Sequence, residues 1–345
     1  MQGRLYLYVK KDEKHGVHLK IFTLAFILLL LSLYLFYKIT VIHGPQAQAF
    51  IKGHDKLNTE LQARLQQHVL TLAEEIGERH HSEKKSLDKA AQYIKQEFVK
   101  AGFEPTLQLF NESVYCNIIA EIAGNEKQND IIIIGAHYDT VWLSPGADDN
   151  ASGVAALLEI ARALSGQHLA RTVRLIAFTN EEQPFADTEE MGSKIYVRSL
   201  LDKDENIIAM FSLEMLGFYS DKKGSQRYPA VANLFYPDTA SFIAFVSNLP
   251  SRSLLISAMA NYSGKATVPA HGLAVPEFLV PDIRRSDHAS FWDFGYPAVM
   301  ITDTADYRNI NYHTVGDVIG TLDFNRMAGV VAGLINTFEL LANED

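Results

Sequence analysis

The chain has 345 residues, of which 48% are hydrophobic and 21% are charged, and this composition supports one large α/β domain or two smaller ones. The formal net charge is −10, and no cluster of Lys and Arg is visible beyond the N-terminus, which argues against a nucleic-acid partner. The single cysteine excludes an internal disulfide, so the fold depends on packing and on any bound metal.

The N-terminal segment contains an uncharged run of 17 residues, 21–37. With residues 38–42 it reaches the roughly 20 residues that cross a bilayer. More Lys and Arg precede the run than follow it, which favours a cytoplasmic N-terminus. We therefore predict a cytoplasmic basic tail over residues 1–20, a transmembrane signal anchor over 21–42 and a linker over 43–54. The remaining residues, 55–345, would form a domain on the non-cytoplasmic side of the membrane.

A cleaved signal peptide is the alternative, because Ala47-Gln48-Ala49 resembles a cleavage site. The apolar run is longer than the usual signal-peptide core of about 7–15 residues, and the triplet lies well beyond it, so an uncleaved anchor is favoured. A buried core helix fits less well, since no polar face interrupts the run. The short length and few cysteines favour a bacterial inner membrane, with the domain in the periplasm, and a eukaryotic secretory membrane is the alternative.

The rest of the chain alternates apolar strands with amphipathic helices. Helices are predicted over residues 55–79, 86–102, 151–164, 239–248, 287–292 and 324–341. Strands are predicted over residues 105–110, 114–122, 131–137, 172–178, 207–213 and 298–301. Residues 221–285 are otherwise predicted to be an irregular excursion over the site. This alternation predicts a three-layer α/β/α sandwich around a mostly parallel mixed sheet.

Acids and histidines follow three of the predicted strands. His137 and Asp139 end the first strand, Glu181 and Glu182 follow the second, and Glu214 ends the third. Singly, such residues are more often core histidines, solvated pairs or ion-pair partners. The carboxyl ends of parallel strands meet at one edge of the sheet, where open α/β sheets bind ligands. Carboxylates and imidazoles without a cysteine cluster suit zinc or a similar divalent ion.

Six motifs extend this pattern, in an order that spans about residues 60–340. They are GAHYDT (135–140), PGADDNASG (145–153), NEE (180–182), SLEM (212–215), SDHASFW (286–292) and NYHT (311–314). Together they resemble the zinc-dependent aminopeptidase family of co-catalytic di-zinc exopeptidases. Relatives of that family include glutamate carboxypeptidases, glutaminyl cyclases and the transferrin receptor ectodomain. The resemblance implies a zinc-exopeptidase-like fold and a metallopeptidase catalytic domain over residues 55–345.

The resemblance also implies two zinc ions per chain that hold a hydroxide between them. The implied ligands are His137, Asp149, Glu182, Glu214 and His313. His137 and Glu214 would bind one ion, Glu182 and His313 the other, and Asp149 would bridge both.

Three further roles are assigned beside these ligands. The resemblance implies that Glu181 is the general acid/base and that Asp139 orients His137. That contact is physically reasonable, since residues two apart on a strand share a face. Asp148 points elsewhere if the match holds, and we interpret it as structural.

Two features depart from the family pattern. Many members carry Asp at the position of Glu214, which is one methylene longer with the same charge. Glu182 is followed by a short insertion before Gly192, and its acids, Glu189 and Glu190, are predicted to be surface charges.

Substrate contacts are predicted less specifically than the metal ligands. His288 and Tyr312 are candidates, and a core role is the alternative for His288. The oxyanion donor would be a Tyr or His from residues 285–313.

The predicted function is a metal-dependent exopeptidase, most consistently an aminopeptidase that hydrolyses N-terminal residues of peptides. A pocket edged with carboxylates would recognise the free α-amine by charge. A single-zinc enzyme similar to glutaminyl cyclase is the first alternative. A carboxypeptidase or dipeptidase would need a basic group, for which Arg284, Arg285 and Arg308 are available. A non-enzymatic receptor or adhesion module would lack a ligand or the base, and all of them are present in this sequence.

Overall fold

The computed structural model describes residues 3–44, 55–201, 203, 205–229 and 232–344. The chain divides into two compact units, Met1–Ile42 and His43–Asp345. In the first unit, helix α1 (Gly3–Thr40) contains the segment Lys20–Thr40, which is long and apolar enough to cross a membrane; a signal sequence passes the same test. The triplet at 47–49 and most of the predicted linker lie outside the described residues, and the predicted domain boundaries stay predictions.

The strands of the described chain have 3 to 11 residues, and those in the centre of the sheet are mostly buried. They are β1 (Val41–His43), β2 (Thr106–Phe110), β3 (Tyr115–Ile122), β4 (Lys127–His137), β5 (Arg171–Phe178), β6 (Asn206–Glu214), β7 (Ile243–Ser247), β8 (Ala270–Ala274) and β9 (Ala298–Thr302). Strands β2 to β9 lie in one sheet in the order β8-β7-β9-β6-β4-β5-β3-β2. Its centre, β5-β4-β6-β9, is parallel, whereas β7 and β3 each run antiparallel to their central neighbour. The predicted α/β fold with a mixed sheet is confirmed.

Helices cover both faces of this sheet. They are α2 (Asp55–Val69), continued by a π-helical segment (Leu70–Ile76), α3 (Lys84–Lys100), α4 (Gly153–Leu164), α5 (Gly192–Arg198), α6 (Arg252–Tyr262), α7 (His288–Asp293) and α8 (Phe324–Asn343). Helices α2, α4, α6 and α8 pack together, and α5 packs on α7. Ile131 and Ile133 of β4 join the apolar cluster that contains the α5 and α7 side chains. Because side chains alternate along a strand, Ile132 and Ile134 point to the opposite face.

Two predictions for the second half of the chain are wrong. Residues 239–248 do not form a helix, because β7 occupies Ile243–Ser247 and pairs with β8 and β9. A short, fully buried apolar run has no periodicity that separates helix from strand, and here the neighbouring strands decide. The predicted irregular region 221–285 also contains α6 and β8.

The topology brings the strand ends with acidic and histidine residues together. His137 ends β4 and Glu214 ends β6, and these two strands are adjacent and parallel. Glu181 and Glu182 follow β5, which pairs with β4 on its other side. All of these side chains therefore emerge at the carboxyl edge of the central parallel strands.

Candidate metal centre

The five predicted ligands lie around one point at this edge. Asp149 lies between two histidines: its Oδ1 is 3.3 Å from Nε2 of His137, and its Oδ2 is 3.1 Å from Nε2 of His313. Oε2 of Glu214 is 3.4 Å from Nε2 of His137, and Oε1 of Glu182 is 3.3 Å from Nε2 of His313. The ligand atoms of His137, Asp149 and Glu214 lie within 4.8 Å of one another, as do those of Asp149, Glu182 and His313. The structure thus brings together the two sets that the sequence predicted.

Glu181 lies beside these groups and could join them. Its Oε2 is 3.8 Å from Nε2 of His137, and His137, Glu181 and Glu182 form a third group of potential ligands. The sequence did not predict this third grouping. Glu181 is only partly buried, whereas Glu182 is buried. The side chain of Glu181 is therefore the more exposed to solvent.

Asp139 connects the ends of β4 and β5. Its Oδ1 accepts a hydrogen bond from the amide of Glu181 (3.2 Å), and its Oδ2 accepts one from the amide of Glu182 (3.1 Å). Nδ1 of His137 lies 3.2 Å from the backbone oxygen of Asp139 and 3.6 Å from its Oδ1. Asp139 therefore contacts His137 as predicted, and in addition it fixes the backbone that carries both glutamates.

Crowded acids shift the pKa values of this cluster. Burial, followed by the charge of Asp149, raises the pKa of Glu182 to about 7. Burial also raises the pKa of Glu181 well above its usual value, with a contribution from Glu182. Burial opposes protonation of His313, but its close approach to the carboxylates of Asp149 and Glu182 outweighs burial and raises its pKa to about 10. In the absence of a cation, the raised pKa values mean that some of these side chains bind protons, which reduces the negative charge of the cluster.

The donor set fits a divalent metal. Oε1 of Glu182 is buried, and within the described residues no group donates a well-formed hydrogen bond to it. A buried carboxylate oxygen without a donor is costly unless a cation satisfies it. Imidazole nitrogens and carboxylate oxygens with no nearby thiolate are the ligand types of catalytic zinc sites.

Several supporting residues were missed by the sequence analysis. The carboxylate of Asp317 accepts hydrogen bonds from the amides of Asp148 (2.9 Å) and Asp149 (3.1 Å) and so fixes the backbone at the proposed bridging ligand. Ser286 donates a hydrogen bond of 2.7 Å to Oε2 of Glu214. Arg79 is fully buried behind the loop that joins His137 to Asp149. Ser286 lies in the SDHASFW motif but was assigned no role there, and no periodicity or motif marked Arg79 or Asp317, whose partners are backbone groups, most of them far away in the sequence.

Asp148 faces away from the proposed ligands. Its Oδ1 accepts from the amide of Gly217 (2.9 Å), and its Oδ2 accepts from the side-chain amide of Asn309 (2.8 Å). These contacts tie the loop after β6 to the segment before His313.

A cavity of about 130 Å³ opens beside the acidic groups. Asp149, Glu181, Glu182, Glu214 and His313 line one end of it. Its walls include the side chains that β7, β8 and β9 direct to one face of the sheet, among them Ala244, Val246, His271, Leu273 and Met300. The region 221–285 thus contributes walls of the site as well as loops over it.

The two predicted substrate contacts lie in different environments. Tyr312 lines the cavity and stacks on His313, with ring centroids 3.7 Å apart. His288 is fully buried, its Nε2 lies 2.6 Å from the backbone oxygen of Ile283, and it is not among the residues that line the cavity. Burial lowers the pKa of His288 to about 4, as expected for a neutral core histidine.

The insertion after Glu182 forms a turn at the surface. Phe185 packs edge-on against Tyr115 and His81, with ring centroids 5.4 and 5.8 Å apart. Glu189 pairs with Arg198, and both Glu189 and Glu190 are exposed. Neither acid belongs to the potential ligand groups of the described chain.

Comparison with protein families identifies the family to which the chain belongs. A model of Peptidase family M28 matches residues 117–337, which include every predicted ligand. The chain belongs to peptidase family M28. It is therefore a metal-dependent peptidase of that family.

Two M28-like relatives illustrate the range of similarity. Uncharacterized protein YfbL of Escherichia coli K12 is 38% identical over 283 residues, which cover 79% of this chain and 86% of YfbL. A probable leucine aminopeptidase of Arthroderma otae is 29% identical over 252 residues, or 68% of this chain. The match spans only 59% of that fungal protein.

Solved structures share the M28 fold at low sequence identity. The LapA aminopeptidase of Legionella pneumophila has a TM-score of 0.66 at 19% identity, over 87% of this chain and 78% of LapA. BSAP, a zinc aminopeptidase of Bacillus subtilis, has a TM-score of 0.64 at 17% identity, over 82% and 95%. The glutaminyl cyclase of Fimbriiglobus ruber has a TM-score of 0.58 at 17% identity, over 81% and 95%. Zinc is thus the metal named among the relatives, and the fold alone does not separate hydrolase from cyclase.

Proposed function

We propose that the protein is an aminopeptidase that holds two zinc ions and releases N-terminal residues from peptides. One observation carries the proposal: the carboxylate of Asp149 directs its two oxygens to two different histidines, His137 and His313. A carboxylate in that position can serve two ions at once. Glu214 would complete the ligand set on the His137 side, and Glu182 would complete it on the His313 side.

Zinc bound in such a pair polarises a carbonyl oxygen and lowers the pKa of water. The side chains supply the proton transfers. The carboxylate of Glu181 would accept a proton from the attacking water and deliver it to the leaving amine. Burial raises the pKa of Glu181 above its usual value, which makes its carboxylate a stronger base for the water proton. Asp139 would keep Glu181 in place through its amide.

The cavity supports an apolar N-terminal residue in the substrate. Its volume of about 130 Å³ is close to that of an apolar cavity of about 150 Å³ known to bind benzene. The part of its wall formed by Ala244, Val246, Leu273 and Met300 is apolar, whereas Asp282, Arg285 and Asp306 line other parts of it. The acidic groups at the other end would attract the free α-amine of the substrate. We therefore expect a preference for phenylalanine or another bulky apolar residue over a charged one.

Tyr312 is the proposed donor to the oxyanion. Its ring lies in the cavity against His313, and the guanidinium of Arg285 lies 5.4 Å from the ring centroid. Burial raises the pKa of its hydroxyl, so Tyr312 stays protonated and able to donate at neutral pH.

The available arginines argue against a carboxypeptidase. Arg284 is paired with Glu277 and with Asp293, and the buried Arg308 donates to the backbone oxygen of Phe242. Arg285 lines the cavity, but Asp306 pairs with it at 2.9 Å. A substrate carboxylate would have to displace that acid.

A panel of aminoacyl-anilides tests the proposal on the purified protein. We expect hydrolysis of the phenylalanine and leucine derivatives, loss of activity with 1,10-phenanthroline and recovery with zinc. Bound zinc measured by elemental analysis should approach two ions per chain. Cleavage of N-blocked peptides from the carboxyl end instead would contradict the aminopeptidase assignment.

Glutaminyl cyclase activity is distinguished from aminopeptidase activity by its product. A peptide with N-terminal glutamine would yield pyroglutamate and ammonia, and one bound zinc would accompany that outcome.

The anchor is proposed to place the catalytic unit on the non-cytoplasmic side, in the periplasm of a bacterium. Protease accessibility in spheroplasts against intact cells tests this placement, and degradation only after lysis of spheroplasts would contradict it.

A further inference from the structure

Arg79 is one of the largest fully buried side chains in the described chain. Its guanidinium donates only to backbone carbonyl oxygens: Tyr138 (2.9 Å), Pro145 (2.7 Å), Gly146 (2.9 Å), Leu72 (2.9 Å) and Gly77 (3.0 Å). Three of these carbonyls belong to the loop between His137 and Asp149. The side chain of Arg79 therefore hydrogen-bonds to both ends of the loop that separates two proposed ligands.

The loop is shaped closely around this guanidinium. Gly146 has a φ of 62°, and a Cβ there would lie 2.8 Å from Nη2 of Arg79 and 2.3 Å from the methyl group of Thr140. The backbone amide of Arg79 also donates to Oγ1 of Thr140 (3.0 Å). Since Asp149 lies three positions after Gly146, a displaced guanidinium would move the proposed bridging carboxylate.

Within the described residues, no acid is hydrogen-bonded to the guanidinium of Arg79 to balance its charge. Burial lowers the pKa of Arg79 to about 10, although Asp317, Asp139 and Asp149 favour its charged form, so it remains a cation at neutral pH. Burying a cation is costly unless the surroundings compensate it. Here the compensation comes from carbonyl dipoles and from the acidic cluster in front of it. A residue kept only for packing would not need that charge.

We propose that Arg79 is a positioning residue for the metal centre, holding the 138–146 loop so that His137 and Asp149 face the same ion. The inference rests on the ligand set proposed above. Arg79 lies outside the segment matched by the M28 family, 117–337, so the π-helical segment and the turn after it would belong to the functional site.

Zinc titration by calorimetry tests the proposal on the full chain. Loss of an outer partner of a ligand typically weakens metal affinity about 10–100-fold, and we expect this loss for Arg79→Lys, which keeps the charge but loses the planar fork. Arg79→Met should lose more zinc affinity than Arg79→Lys, so that the lysine variant binds zinc with intermediate affinity. Arg64→Lys is the matched control, because Arg64 on α2 bonds Glu159 and touches no ligand loop.

The outcomes separate the two proposals. No zinc binding by the wild-type protein would remove the proposed metal centre and this inference with it. Normal binding by wild type together with unchanged affinity in folded Arg79→Lys would overturn the inference alone. An equal loss in Arg64→Lys would also overturn it, since destabilisation would then be the cause.

Hydrogen exchange on the wild-type protein covers the case in which the Arg79 variants do not fold. Adding zinc should slow exchange at amides 70–82, which contain no proposed ligand, together with amides 138–149. Protection confined to the segments that carry ligands would show that Arg79 is not coupled to the centre.

Discussion

Oγ of Ser286 donates a hydrogen bond of 2.7 Å to Oε2 of Glu214 and lies 2.7 Å from Oγ of Ser212. The resemblance described above implies that Glu214 stands where many family members carry the shorter aspartate. The extra methylene adds a rotatable bond, and the serine hydroxyl restrains it. The longer carboxylate can therefore keep one oxygen oriented towards Nε2 of His137.

Ser286→Ala should weaken zinc binding on the His137 side. We expect a loss of about tenfold in affinity, because the carboxylate loses its outer donor. Calorimetric titration measures this loss, and Ser290→Ala is the control, since Ser290 bonds Ser193 away from Glu214. Equal affinities in the two variants would contradict the role of Ser286.

Glu181→Gln should keep its zinc and lose turnover. The amide has nearly the same shape but cannot accept the water proton, and general-base removal typically costs about 10²–10⁴-fold. Anilide hydrolysis and elemental analysis on one preparation provide both measurements. Full activity with normal zinc content would remove Glu181 from the mechanism.

Ala244→Phe should fill the apolar end of the cavity. Ala244 lies on β7 and lines the cavity. The phenyl ring of the variant would therefore fill space that the substrate side chain is proposed to occupy. We expect kcat/KM for the phenylalanine anilide to fall at least about tenfold, with a smaller change for the alanine anilide. Ala63→Phe, at an exposed position of α2, is the control. A uniform loss across substrates would place the specificity pocket elsewhere.

Glu159 should make stability depend on acid pH. Burial alone would raise its pKa, but hydrogen bonds from His68, Arg162 and Arg64 outweigh burial and lower it to about 2. The folded pKa is depressed, so this stabilisation is present above about pH 4.5 and disappears as the pH falls towards 2.

Glu159→Gln should therefore lower the free energy of unfolding at pH 7 by up to about 3 kcal/mol, with a difference that shrinks below pH 4. Urea unfolding at several pH values measures the effect. Asp88→Asn, in an exposed ion pair with Lys84, should change stability by less than about 1 kcal/mol. A difference from wild type that stayed constant down to pH 2 would refute the electrostatic origin.

The sheet and the grouping of the candidate ligands could be predicted because they obey local rules. Buried parallel strands such as β4 and β5 are near-continuous apolar runs; His137 is the last residue of β4, and Glu182 lies four residues after the end of β5. Because these strands are parallel neighbours, their carboxyl ends lie at the same edge of the sheet for any conformation of the loops. The roles of the residues remain predictions that the variants above test.

The errors arise where distant contacts decide the structure. The run at 239–248 has no distinctive period, and pairing with β8 and β9 makes Ile243–Ser247 a strand. Arg79 and Asp317 act on backbone groups of the 138–149 region, which no side-chain pattern can reveal. Arginine is also so often a surface residue that its complete burial is not expected from sequence.

The proposed ligands are spread over a long stretch of chain, from His137 in β4 to His313 after β9. During biosynthesis, a ribosome-bound or partly translocated chain would present only some of the proposed ligands. Capture of the cation would therefore be one of the last events in maturation, drawing on whichever metal pool surrounds the finished domain. Scarcity of zinc in that compartment would then leave a folded but inactive population, ready for loading without new synthesis.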